Sequence, residues 1–222
     1  LGERIGIGAI SMLVCLVGGR ITPSFTRNWM AKQRLKPEPA PADRFDILML
    51  ALTAITVLAW AVAGEGQLVG VSLVCAGALN FVRLSRWKGW RTFAEPLVAV
   101  LHIGYGWLAF GLVLLGASLA APNYIPNASG IHALTAGAFG VMTLAVMTRA
   151  SRGHTGQPLA ADAITTAIYT LVTLGAALRV LAPFWPSEYA VLLTASALLW
   201  TSAFALFAFA YGPLLTRARA KT

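Results

Sequence analysis

EPLVAVLHIGYGWLAFGLVLLGAS, residues 95–118, runs from one glutamate through an apolar stretch broken only by His102. A helix rising 1.5 Å per residue over that length crosses a hydrocarbon core about 30 Å thick. Just before it, RLSRWKGWR at 83–91 supplies Arg83, Arg86, Lys88 and Arg91. The same alternation of apolar run and basic gap extends in both directions. Further spans are expected at 5–20, 47–64, 67–83, 130–148, 162–182 and 188–211. Basic residues follow the first span (Arg20, Arg27, Lys32, Arg34, Lys36, Arg44), the third, the fifth (Arg149, Arg152) and the seventh (Arg217, Arg219, Lys221). The other gaps hold Glu65, the uncharged stretch 120–129, and Glu188.

This pattern predicts an all-α fold, a polytopic transmembrane helical bundle of seven spanning helices. The positive-inside bias puts the basic gaps in the cytoplasm, so residue 1 faces the periplasm and residue 222 the cytoplasm. The chain is 58% apolar and 11% charged, too little polar material to cover a water-soluble surface. Its net charge of +9 is juxtamembrane and has no soluble domain around it, so topology accounts for it and nucleic acid is not an expected partner. Membrane lipid is. Cys15 and Cys75 both fall in apolar runs and form neither a disulfide framework nor a CxxC pair. The chain opens on Leu1, with no basic n-region or cleavage site ahead of its first span, as the C-terminal part of a longer protein would; residues 1–222 read as one transmembrane domain. Lys36 to Pro41, KPEPAP, is a stiff cytoplasmic connector.

Three segments carry unusual chemistry. In GGRITPSFTRNW, 18–29, Arg20 and Arg27 offer planar forks, two glycines permit close approach, and Pro23 limits helix continuation. The segment reads either as a positive-inside anchor with a helix stop or as a clamp for an anionic group such as a haem propionate. In HIGYGWLAFG, 102–111, His102 sits well inside a span, where an ionisable group is costly; it is either a ligand for haem iron or copper or a histidine bonded to a neighbouring helix. Gly106, one turn on, leaves room for a flat group.

The third segment is HALTAGAFGVMTLAVMTRASRGHTGQPL, 132–159. On a uniform helix His132, Ala136, Gly140, Thr143 and Met147 share one face, read either as a close helix-packing surface or as a cofactor groove. His154 lies in a glycine-flanked loop beside Arg149 and Arg152. About 20 Å along the membrane normal separates His102 from His132, so the two are not expected to share a metal. His102, on the inner half of its span, could reach the inner arginines Arg20 and Arg27, whereas His132 is nearer Arg179, the one basic residue near the outer side, and antiparallel neighbours would bring that pair to one depth. There is no HExxH, P-loop, GxSxG, CxxCH or GxGxxG with a βαβ unit, which argues against a hydrolase, an NTPase or a nucleotide-dependent dehydrogenase; any haem is held non-covalently.

Together these three segments resemble the NnrS family over essentially all 222 residues, the HALTAGA to GHTG stretch being the most distinctive. The resemblance implies the C-terminal seven spans of a chain of about twelve. It also implies haem b and copper as cofactors, nitric oxide as a ligand, and a role in the response to nitrosative stress in the bacterial inner membrane. Protection of iron pools from nitrosylation is nearer to what the family suggests than a plain nitric oxide reductase, and no catalytic residue is expected. The candidate metal ligands are His102, His132, His154 and Met147; Arg20, Arg27, Gly106, Gly140 and Arg179 are candidates for the rest of the cofactor. A b-type haem electron-transfer protein and a small-molecule or metal transporter are the alternatives.

Overall fold

A computed structural model describes residues 1–216. Arg217, Arg219 and Lys221, the basic group expected after the last span, lie outside the described residues. Among the described residues seven helices are long and apolar enough to cross a membrane. They are α1 (Gly2–Lys32), α2 (Arg44–Ala63), α3 (Gln67–Ser85), α4 (Pro96–Ala120), α5 (Asn127–His154), α6 (Ala163–Phe184) and α7 (Pro186–Thr216). No strand occurs among the described residues.

Local chemistry sets where the helices begin. Asp43 caps α2 by accepting from the amides of Phe45 and Asp46, and Asp46 reaches back to the Asp43 amide, a reciprocal capping box. Glu95 caps α4 ahead of Pro96 at its first position, and Asp162 accepts from the Thr165 amide to start α6. α2 ends on Gly64, whose φ of +77° reverses the chain into the short turn before α3.

In lipid there is no hydrophobic drive between helices, so close packing and polar contacts must hold them together. α3 and α4 approach closely at glycines. A Cβ on Gly116 would overlap the Gly70 carbonyl oxygen and stand 2.6 Å from the Val74 amide nitrogen, and one on Gly77 would stand 2.7 Å from the Ala109 oxygen. α4 is the central helix, with Leu97, Leu101, Tyr105, Leu108, Leu112 and Leu115 enclosed on all sides. α7 is the most peripheral. α2 turns Ile47, Leu48, Ile55, Leu58 and Val62 outward, onto the acyl chains of the bilayer.

Two features depart from the sequence reading. α1 was expected to stop near residue 20, before Pro23, but continues to Lys32. Proline removes one backbone donor, a loss that membrane helices tolerate where neighbouring helices re-satisfy the freed groups. α1 and α5 also contain π-helical turns, at Val14–Gly18 and Ala133–Phe139. The KPEPAP connector packs back on the turn after α3: the Ala40 amide donates to the Arg86 carbonyl at 3.1 Å, and Arg91 donates to the Lys36 carbonyl.

Candidate functional site

The most connected polar cluster in the bundle centres on Arg83, near the basic end of α3. Its Nε donates to Asp46 Oδ1 at 2.7 Å, and its Nη1 donates to the Tyr105 hydroxyl at 2.8 Å and the Cys15 carbonyl at 3.1 Å. Tyr105 donates in turn to Asn80 Oδ1 at 2.6 Å, and the Asn80 amide donates to Thr53 at 3.0 Å. Five side chains from α2, α3 and α4 and a carbonyl of α1 are thereby linked in one network, which gives most of their buried polar atoms a partner. Gly19 makes the approach of α1 possible, since a Cβ there would fall 2.5 Å from Arg83 Nη1. A second cluster joins α5, α6 and α7: Arg152 pairs with Asp162 and donates to Tyr211 Oη at 3.0 Å and Thr165 Oγ1 at 3.1 Å.

Just outside the spans, the hydrogen bond from Arg86 and its nearby charge hold the Asp43 carboxyl at about 2, and the same bond raises Arg86. For Asp162, burial pushes the carboxyl up, but the Thr165 amide and hydroxyl and Arg152 outweigh it and leave it below its ordinary value.

His102 lies on α4 against α1. Thr26 Oγ1 donates to the Thr22 carbonyl at 2.8 Å, so its contact with His102 Nε2 at 2.7 Å is one in which the imidazole N–H donates. That assigns the proton to Nε2 and leaves Nδ1 a bare acceptor, buried and without a partner. Gly89 closes over it; a Cβ at residue 89 would stand 2.5 Å from Nδ1. His102 borders a cavity of about 350 Å³ walled by Phe81, Leu84, Trp90 and Phe93. Gly106, one turn on, faces Leu84 at ordinary contact distance. Arg20 and Arg27 are not in this cavity. They line a separate cleft of about 580 Å³ between α1 and α2, and the Trp87 ring, 6.4 Å from the imidazole, belongs to the wall of that cleft.

At the opposite end of the bundle His132 and Arg179 line one cleft of about 690 Å³, with Thr135, Ala136, Trp200 and Glu3 around them. Arg4, in the first turn of α1, is a further basic residue at that end, which the sorting of charges by gap passed over. The five-residue ladder on α5 is divided. A π turn accommodates one residue more than the α period and rotates the helix beyond it. His132 and Ala136 therefore face this cleft, whereas Thr143 and Met147 face a groove against α1. Gly140 meets Trp200, whose Nε1 would lie 2.8 Å from a Cβ there and donates to the Ala136 carbonyl at 3.2 Å.

The groove between α1 and α5 carries Met142 and Met147 mid-span and continues toward His154, beside Phe25 and Arg149. The Arg149 guanidinium stands 3.9 Å from the Phe25 ring centroid. His154 is the last residue of α5 and not part of a loop, because the helix runs through Gly153. Among the described residues no three His, Cys, Asp or Glu side chains gather as a metal site.

Asp46, Asn80 and Tyr105 were not singled out from sequence. Asn80 offered the usable signal, an amide inside an apolar run that must find a partner. The profile of one protein family, described as NnrS protein, matches residues 1–219. No curated protein and no solved structure matches the chain.

Proposed function

Since this chain belongs to the NnrS family of nitric-oxide-response membrane proteins, we propose that it acts there as a haem- and copper-binding protein of the bacterial inner membrane. In this reading it shields cellular iron from nitrosylation. The observation that carries the reading is the cleft shared by His132 and Arg179. A b-type haem asks of its protein an imidazole nitrogen, a cation for its propionates and an apolar wall, and this cleft offers one of each. His132 would hold the iron, Arg179 would pair with a propionate, and Ala136 and Trp200 would wall the ring. Bound there, the iron would supply a site for nitric oxide.

His132 is half-buried. Arg179 makes no ion pair among the described residues, so its guanidinium is available to an anion. His102 fits less well: its one available nitrogen is covered by Gly89, and its cavity has half the volume. For copper, no three His, Cys, Asp or Glu side chains gather among the described residues; Met147 and His154, on adjoining parts of the α1–α5 groove, are the side chains this chain offers it. The basic end of the bundle faces the cytoplasm in this reading.

The test is the optical spectrum and haem content of the full-length protein purified in detergent. His132→Ala should lower haem per polypeptide and Arg179→Gln should shift the Soret band, with the band of the unsubstituted protein responding to nitric oxide. Unchanged haem content in His132→Ala at normal abundance would overturn the assignment.

A further inference from the structure

The α1–α2 cleft at the basic end is cationic beyond what its carboxylates can balance. Arg20, Arg27, Arg44 and Arg83 line it, with Asp43 and Asp46. Both carboxylates are already engaged, Asp46 by Arg83 at 2.7 Å and Arg86 at 3.4 Å, and Asp43 by Arg86. Arg20, Arg27 and Arg44 form no ion pair or hydrogen bond among the described residues. In the wall, the side chain of Arg83 is 5% exposed, and its Nη2 makes no hydrogen bond although Nε and Nη1 do. Gly19 packs beside that nitrogen, where a Cβ would stand 2.7 Å from it; unlike His102 Nδ1, Arg83 Nη2 is not fully enclosed, and Arg83 lines the cleft. A buried guanidinium thus has one unused edge in a cleft rimmed by three more.

The shape of the cleft specifies the ligand further. Leu16 and Ile47, 56% and 69% exposed, belong to its lining and continue onto the lipid-facing surface. A molecule held here has an anionic head among arginines and an apolar body along α1 and α2. Among the described residues no histidine, cysteine, tyrosine or methionine lines the cleft, and its two carboxylates are held by Arg83 and Arg86, so it offers no free ligand for a haem iron.

We infer that this cleft binds the phosphate of an anionic phospholipid, with the acyl chain against Leu16 and Ile47. Arginine forks match phosphate oxygens in pairs, and basic pockets between helices at the cytoplasmic surface suit such head groups. This inference stands apart from the haem reading, since it uses the other end of the bundle and no metal ligand.

The test is native mass spectrometry of the delipidated full-length protein with dioleoyl phosphatidylglycerol, dioleoyl phosphatidylcholine or inorganic phosphate added. Phosphatidylglycerol should be retained over phosphatidylcholine, and Arg20→Gln with Arg27→Gln should weaken its retention about thirtyfold, as expected for two arginine contacts at an anionic surface. Lys32→Gln with Arg34→Gln removes the same charge from the same end but outside the cleft, and should change retention little. An equal loss in that pair, or equal retention of both lipids, would overturn the inference in favour of diffuse attraction. Displacement of the lipid by millimolar phosphate would overturn it in favour of a free anion. Should the double variant not fold, Arg44→Gln, an exposed residue at the start of α2, carries the same test with about a fivefold expected loss.

Discussion

Replacing Asp46 by alanine should be among the most damaging single changes in the bundle. Among the described residues its carboxylate is the only one on Arg83, it also meets Arg86, and it accepts the Asp43 amide at 3.2 Å in the capping box. Both members of the Asp46–Arg83 pair are close to fully enclosed, with side chains 10% and 5% exposed. Removing one partner of a buried pair costs about 3–5 kcal/mol, because the remaining charge is stranded. Arg83 keeps the Cys15 carbonyl and Tyr105, which puts the expected loss near the lower end, about 3 kcal/mol. Arg83→Met should cost less, about 1–2 kcal/mol, since Asp46 can still turn to Arg86. Asp46→Ala combined with Arg83→Met should cost less than the sum, because no charge is then left unpaired. Reversible unfolding in mixed micelles, followed by steric trapping or detergent titration, measures all three. A loss under about 1 kcal/mol for Asp46→Ala, or strict additivity in the double variant, would refute the argument that the pair is desolvated and coupled.

Gly116→Ile should separate α3 from α4, since even its Cβ would overlap the Gly70 carbonyl; a loss of about 3 kcal/mol or failure to accumulate is expected, read by the same unfolding assay. Acid should loosen the start of α2. Asp43 titrates at about 2 in the fold and near 3.9 when unfolded, so its contribution is complete above about pH 4 and lost as pH falls toward 2. Asp43→Asn should remove that part of the acid response, followed by amide hydrogen exchange over residues 43–50. Reporter fusions at Gln67 and Asn123 should read as periplasmic and one at Ala40 as cytoplasmic, and reversal at two of the three would overturn the orientation.

The seven spans were legible because each is an apolar run of about the length a bilayer needs, and the family was legible from three segments of unusual composition. Helix ends were less so. Pro23 reads as a stop by local propensity, but a membrane environment holds the helix through it to Lys32. The face of α5 was misjudged from Gly140 onward, because a helical wheel assumes a uniform period and nothing in ALTAGAF announces a π turn. His132 and Arg179 were placed together from depth alone, and they do line one cleft. The grouping of His102 with Arg20 and Arg27 rested on depth too, but depth carries no information about direction around a helix, and Trp87 stands between them. Asp46 escaped notice because its partner Arg83 is 37 residues away in the chain.

The Asp46–Arg83 pair also bears on how the polypeptide enters the bilayer during synthesis. An arginine or an aspartate in a helix that leaves the translocon alone carries a penalty of about 2.5–3.5 kcal/mol at the helix centre, and less near the helix ends where Asp46 and Arg83 sit. Here the two charges sit on successive helices joined by a three-residue reversal at Gly64, Glu65 and Gly66. The helical hairpin can therefore partition into lipid with its opposite charges already neutralised, before the helix that bears Tyr105 has been translated. Arg152 and Asp162 flank a later reversal, between α5 and α6, so that buried arginine also meets its counter-ion within one hairpin.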